Sequence, residues 1–127
     1  MEIALPASAL AARPLGGATY RDCTTRNGTT VCKVNQISVT PNARKVSKFV
    51  AFTRCAPVPF KLPLAMKINA AGAFALSADR IDIDGRKIHV AIKGKFTAVD
   101  RARGTMRFTR HGCDTGAVRF DARAALG

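Results

Sequence analysis

The side chains of this chain best suited to covalent, redox or acid–base chemistry are few: Cys23, Cys32, Cys55 and Cys113, His89 and His111, and Ser8, Ser38, Ser47 and Ser77. Nucleophilic catalysis asks for a serine or cysteine held beside a base. General acid–base catalysis asks for His, Glu or paired carboxylates gathered in a pocket. Here no serine stands in a G-x-S-x-G turn and no Gly-rich phosphate loop is present, while His89 falls on the outward parity of a strand and His111 in a turn. The expectation is a chain that is not an enzyme. Asp79, Asp82 and Asp84, ahead of Gly85, begin like a calcium loop, but Arg86 and Lys87 follow where further oxygen ligands and a bidentate Glu are needed. They read as solvated turn carboxylates, and neither a metal nor a cofactor is expected.

The cysteines carry the firmest chemical information. Four of them in 127 residues, an even number, point to two bridges. Cys23 and Cys32 flank Asn27-Gly28, the strongest short-range signal for a hairpin turn, so they are placed to bridge across its strands. That bridge closes a loop of about 10 residues, for which the chain-entropy relation gives roughly 2.7 kcal/mol. Cys55 with Cys113 closes about 59 residues and gives roughly 4 kcal/mol by the same relation. This pairing is favoured over the other two connectivities. A cysteine site for zinc completed by His111 is the remaining alternative, and the cysteine spacing matches no zinc signature. Bridges persist in oxidising compartments, so a secreted or cell-surface protein is expected.

Charge is the second strong signal. Lys and Arg number 21 against 8 acidic residues, a formal net charge of +13. Such an excess attracts polyanions and says nothing about fold. With 47% hydrophobic residues the composition is globular rather than disordered. No stretch approaches the ~20 apolar residues of a membrane span. Met1–Ala12 is Ala-rich but has no basic leading region, and its apolar run is too short for a complete signal peptide.

These groups must be positioned by strands. Residues 1–16 contain Pro6, Pro14 and Gly16 without periodicity and read as a flexible arm; residues 17–127 read as one β domain. Strands are predicted over Thr19–Cys23 and Val31–Thr40, the latter with Val31, Ile37 and Val39 apolar. Val46–Cys55 carries apolar residues at both parities, Val46, Val50 and Phe52 on one and Phe49 and Ala51 on the other, and is the candidate central strand. Ala56–Pro59 is a rigid connection. Leu62, Leu64, Met66 and Ile68 recur with strand period, and Pro63 marks that strand as an edge. Phe74 and Leu76 point inward on a short strand. The longest strand places Ile88, Val90, Ile92, Gly94 and Phe96 inward and Lys87, His89, Ala91, Lys93 and Lys95 outward. Ala98–Arg103 reads as a charged loop. Met106 and Phe108, then Val118, Phe120 and Ala122, complete the inward set. About eight short strands at roughly 10-residue spacing predict an all-β, antiparallel fold, a β-sandwich first and a small β-barrel as its alternative.

On the outward parity of the C-terminal strands stand Lys87, Lys93, Lys95, Arg107, Arg119 and Arg123. A meander from residue 86 to 123 would bring them to one sheet face, an anion-binding surface in the making. Single-strand nucleic-acid readers add aromatic stacking platforms. Phe49, Phe52, Phe74, Phe96, Phe108 and Phe120 mostly have core parity instead, so specific nucleic-acid binding is not expected. The sequon Asn27-Gly28-Thr29 is fully explained by its turn.

Gly17–Tyr20, the strand ending in Cys55, Gly72–Phe74, Gly94–Thr97, Ala102–Thr105 and above all Cys113-Asp114-Thr115-Gly116-Ala117-Val118-Arg119-Phe120-Asp121-Ala122 form a recognisable set. On these residues the chain, from Gly17 onward, resembles an uncharacterised family of small secreted disulfide-containing β domains of high-GC Gram-positive bacteria. Phe120 stands where that family usually has Trp, and the Cys23/Cys32 pair looks like an addition. The resemblance implies an exported β-sandwich with Cys55 linked to Cys113, and no known activity. The functional expectation is therefore a non-catalytic extracytoplasmic binding or structural module, contacting an anionic cell-wall polymer through the basic sheet face. The alternative is a protein–protein interaction module, inhibitor or adhesion-like, that engages another secreted protein.

Overall fold

The computed structural model describes residues 13–55, 60–62, 65–81, 85 and 87–125. Residues 1–12 of the expected arm, the Ala56–Pro59 connection, Pro63, Leu64, Asp82, Asp84 and Arg86 lie outside them. The described residues contain no helix. They form β1 (Thr19–Arg26), β2 (Thr29–Val39), β3 (Lys45–Ala51), β4 (Phe60–Leu62), β5 (Met66–Lys67), β6 (Ala73–Ile81), β7 (Lys87–Ala98), β8 (Arg101–Arg110), β9 (Cys113–Asp114) and β10 (Val118–Arg123).

All pairings are antiparallel, in the order β4-β3-β2-β1-β10-β8-β7-β6, with β5 against β3 and β9 against β8. The all-β, antiparallel expectation holds. Of its two architectures the barrel is the one formed, because one sheet curls until its ends nearly meet. Closure comes from β5. It pairs Val46 with Met66, and its chain continues through Asn69–Gly72 directly into β6. The Asn69 side-chain oxygen accepts from the N–H of Ala71 and Ala73, both at 2.9 Å, which holds that corner.

The interior follows from alternation. β7 buries Ile88, Val90, Ile92, Gly94 and Phe96 and leaves Lys87, Lys93 and Lys95 exposed. Across the barrel Phe49 meets Phe120 edge-on at 5.9 Å between centroids, and Tyr20 meets Phe96 at 5.1 Å. The Tyr20 hydroxyl donates to the Val99 carbonyl at 2.5 Å and accepts from the Leu15 N–H at 2.9 Å. Burial pushes its pKa above the ordinary value of 10.0. With Pro14 buried, residues just ahead of position 17 are thereby tied to the barrel. Replacing Tyr20 by Phe strands both partners and is expected to lower stability by about 1–2 kcal/mol in urea unfolding.

Two departures from simple alternation matter. β3 pairs Lys48 with Ser38 but Val46 with Val39, so Ser47 is an extra residue, a bulge. The bulge changes parity: Val46, Phe49 and Ala51 all face inward, and Phe52, expected alongside Val46, is 44% exposed. The mixed pattern that marked β3 as central has this cause. Second, the chain at Ala98–Arg103 is no loop. Only Val99 and Asp100 turn, and Arg101 to Arg103 already belong to β8, with Ala102 buried opposite Phe96. Alternation persisted there beneath the charge.

Both bridges are present, Cys23–Cys32 and Cys55–Cys113. With every cysteine bonded, the cysteine zinc site falls away. Cys55 is buried, and its bridge joins the segment after β3 to the first residue of β9. The other bridge staples a hairpin that projects from the sheet: residues 23–31 are all exposed, Val31 at 66%. Its tip has positive φ at both Asn27 (50°) and Gly28 (76°), the backbone a two-residue primed turn requires.

Candidate anion-binding face

The outer surface of β7, β8 and β10 is the site that charge and topology build. Register fixes the rows. Lys93 stands opposite Thr105, which stands opposite Arg119; in the next row Lys95, Arg103 and Asp121 are neighbours; beyond it Arg101, Arg123 and Arg21 follow one another across three strands. Paired strands lie about 4.8 Å apart and same-face residues about 6.7 Å apart along a strand. Lysine and arginine head groups on such a grid overlap in reach.

The expected bases divide into two groups. Lys93, Lys95, Arg119 and Arg123 are exposed, with no carboxylate within 4 Å among the described residues. Lys87 and Arg107 lie toward the other end of the strands and are matched. Lys87 Nζ is 3.6 Å from Asp79, and Arg107 forms a two-pronged pair with Asp114. Two further bases join the first group. Arg103, hidden by the reading of its segment as a loop, faces outward with Asp121 at 3.9 Å. Lys33 comes from β2, whose bulges set it beside β10, where its Nζ donates to the Arg119 carbonyl at 3.5 Å. Lys33, Arg103, Thr105 and Arg119 line a shallow depression with Asp22 and Asp121. Its carboxylates are engaged: Asp22 accepts from the Asp121 N–H at 2.9 Å, and Asp121 accepts from Arg101 Nε at 2.8 Å. The Arg101 hydrogen bond holds the Asp121 carboxyl below its ordinary range.

The carboxylate at Asp114 is the most perturbed. Hydrogen bonds from Arg107, then from the Gly116 N–H, and the charge of Arg54, lower its pKa from 3.8 to about 2. A depressed carboxylate stabilises the fold above its unfolded pKa and loses that contribution as pH falls through the folded value. The Asp114 contribution is thus complete above about pH 4 and lost toward pH 2. A carboxyl NMR titration is expected to place its midpoint near 2, and Arg107→Gln to raise it toward 3.8.

On the β6 side, Asp79 Oδ1 lies 2.7 Å from His89 Nδ1, and His89 Nε2 lies 3.3 Å from the Ser77 hydroxyl. Cross-strand pairing of Asp79 with His89 creates this chain, which no sequence spacing announced. The three groups are exposed on an open sheet face. The His89 hydrogen bond keeps Asp79 below its ordinary pKa. Among the described residues, no group of three or more His, Cys, Asp or Glu side chains gathers with metal-binding geometry.

A second basic cluster was invisible in the sequence. Arg13, Arg44, Lys45 and Lys67 come from three segments and meet at the β3–β5 end of the barrel, where Lys45 and Lys67 are register partners. Only the closure of the sheet brings them together.

No protein-family model matches this chain, and neither a curated protein nor a solved structure is similar to it.

Proposed function

We propose that this chain is a non-catalytic, extracytoplasmic binding module that holds an anionic cell-envelope polymer on the outer face of β7, β8 and β10. The observation that carries the reading is the set Lys93, Lys95, Arg119 and Arg123, in adjoining register rows and without an ion-pair partner among the described residues. Four cations that form no ion pair among the described residues can each take a phosphate, sulfate or carboxylate without first breaking a bond inside the protein. Two bridges suit an oxidising location outside the cytoplasm.

Polyanion binding through about four contacts releases counterions, so affinity falls with salt at roughly 0.7–0.9 log units per contact per tenfold salt. On a polyphosphate or heparin matrix, the slope of log affinity against log salt is expected near −3 by that relation. A slope near zero would remove the reading.

The stapled hairpin favours a second reading, a protein-interaction module. Its exposed Val31, on strands held together by the Cys23–Cys32 bridge, offers a rigid, partly apolar projection to another secreted protein. The two readings occupy different surfaces and separate by mutation of one or the other.

A further inference from the structure

The barrel interior is not filled at one end. Between β3 on one side and β7, β8 and the start of β10 on the other lies a cavity of about 220 Å³ that opens to solvent. Its wall is apolar: Phe49, Ala51, Val90, Ile92, Met106 and Val118 among the described residues. Close-packed interiors seldom keep voids larger than a water molecule, and barrel mouths are a recurring place for small-ligand sites. An apolar cavity of roughly 150 Å³ stays dry and takes up benzene, so by the same measure this one has room for about nine carbon atoms.

The rim is polar and cationic. Arg54 and Arg107 both lie at the opening, with Thr53, Thr115 and the exposed ring of Phe52. Asp114 answers only part of that charge. It pairs with Arg107 through its carboxylate, while Arg54 donates to its main-chain carbonyl at 2.7 Å. A guanidinium has five N–H donors in a fixed fork, so each arginine keeps donors beyond these bonds. An apolar pocket closed by two guanidiniums and a single carboxylate selects an amphiphile with a negative head.

We propose that this mouth binds a medium-chain alkyl carboxylate, its hydrocarbon chain in the cavity and its carboxylate on Arg54 and Arg107. The site is distinct from the basic sheet face, and neither depends on the other.

The test uses the full, oxidised chain labelled at methionine methyl groups and titrated with sodium decanoate, decanol or decyltrimethylammonium. Met106 lines the cavity, and Met66, buried against Val46 at the β5 corner, is the internal control. Decanoate is expected to shift Met106 saturably without moving Met66, and to bind at least tenfold more tightly than decyltrimethylammonium. Arg54→Gln with Arg107→Gln is expected to erase that preference while decanol binds as before. Ala51→Leu, which fills the cavity, is expected to abolish binding of all three; Val118→Phe does the same from the opposite wall should Ala51→Leu misfold. An unmoved Met106, or equal affinity for the anionic and cationic amphiphiles, overturns the proposal. Since decanoate carries a single charge and is read at Met106, its failure leaves polymer binding at Lys93 and Lys95 standing, and the reverse also holds.

Discussion

A chain in which Cys55 and Cys113 are both replaced by alanine is expected to melt roughly 12–20 °C below the parent, the largest loss available from removing either bridge. The bridge spans 58 positions in sequence and joins the segment after β3 to the start of β9. In the unfolded chain it removes loop entropy worth about 4 kcal/mol, and a domain of this size shifts its melting point by about 4 °C per kcal/mol. The bridge also fastens one end of the sheet to strands far along the chain, and Cys55 is buried. The Cys23–Cys32 bridge differs in kind. Every residue from 23 to 31 is exposed, so its hairpin can fray without opening the barrel. Its removal is expected to cost the global transition less than the roughly 2.7 kcal/mol of the loop term, and to appear instead as faster amide exchange in residues 23–32. Calorimetry on the two double variants checks both statements. Equal drops would mean that the hairpin is part of the cooperative core.

Gly104→Ala is expected to cost at least about 3 kcal/mol, at the upper end of overpacking penalties. Gly104 and Gly94 face each other across β7 and β8. A Cβ at position 104 would stand 2.2 Å from the Lys93 carbonyl oxygen, 2.7 Å from Gly94 Cα and 2.8 Å from the Phe120 ring. Two of those neighbours are backbone of the adjacent strand and cannot turn aside. Relief therefore means prising β7 from β8 or displacing Phe120, whose ring packs edge-on against Phe49. Gly94→Ala meets only a side chain, the Phe74 ring at 2.4 Å, but that ring is 2% exposed and has little room to swing. Its cost is expected to be smaller than that of Gly104→Ala, yet above 1 kcal/mol. Urea unfolding of both variants gives the comparison; a loss below 1 kcal/mol at Gly104 would show that the β7–β8 pairing is far more plastic than its register implies.

What could be read from the residues alone depended on whether a rule was local. The β7 alternation, the Asn27-Gly28 turn and the pairing of cysteines around that turn are local, and they hold in the structure. Bulges are not. The extra residues, Ser47 in β3 and Lys33 itself in β2 against β1, leave no mark in composition, yet Phe52 turns outward and Lys33 reaches β10. The choice between sandwich and barrel turned on β5, a two-residue strand that pairs β3 and runs straight into β6. The basic face was partly legible, because outward parity on β7, β8 and β10 was readable without the fold. Charge matching was not: Asp79 of β6 and Asp114 of β9 cancel Lys87 and Arg107. Arg103 is hidden for a simpler reason: the charge density of its segment resembles a loop, although Ala102 continues the inward alternation.

On the proposed function, a particular sheet face and not net charge holds the anionic polymer. Two triple reversals decide it. Lys93→Glu, Lys95→Glu and Arg119→Glu invert three of the four bases that form no ion pair, sparing Arg107 because its reversal would also strand Asp114. Arg44→Glu, Lys45→Glu and Lys67→Glu invert the rival cluster at the barrel end by the same number of charges. All six residues are exposed, so both variants are expected to melt within a few degrees of the parent. The measurement is affinity for polyphosphate at fixed, near-physiological salt. The face variant is expected to lose at least a hundredfold, and the end variant no more than about fivefold, a long-range charge effect that salt screens. Equal losses from the two variants, or a larger loss from the end variant, would contradict the account.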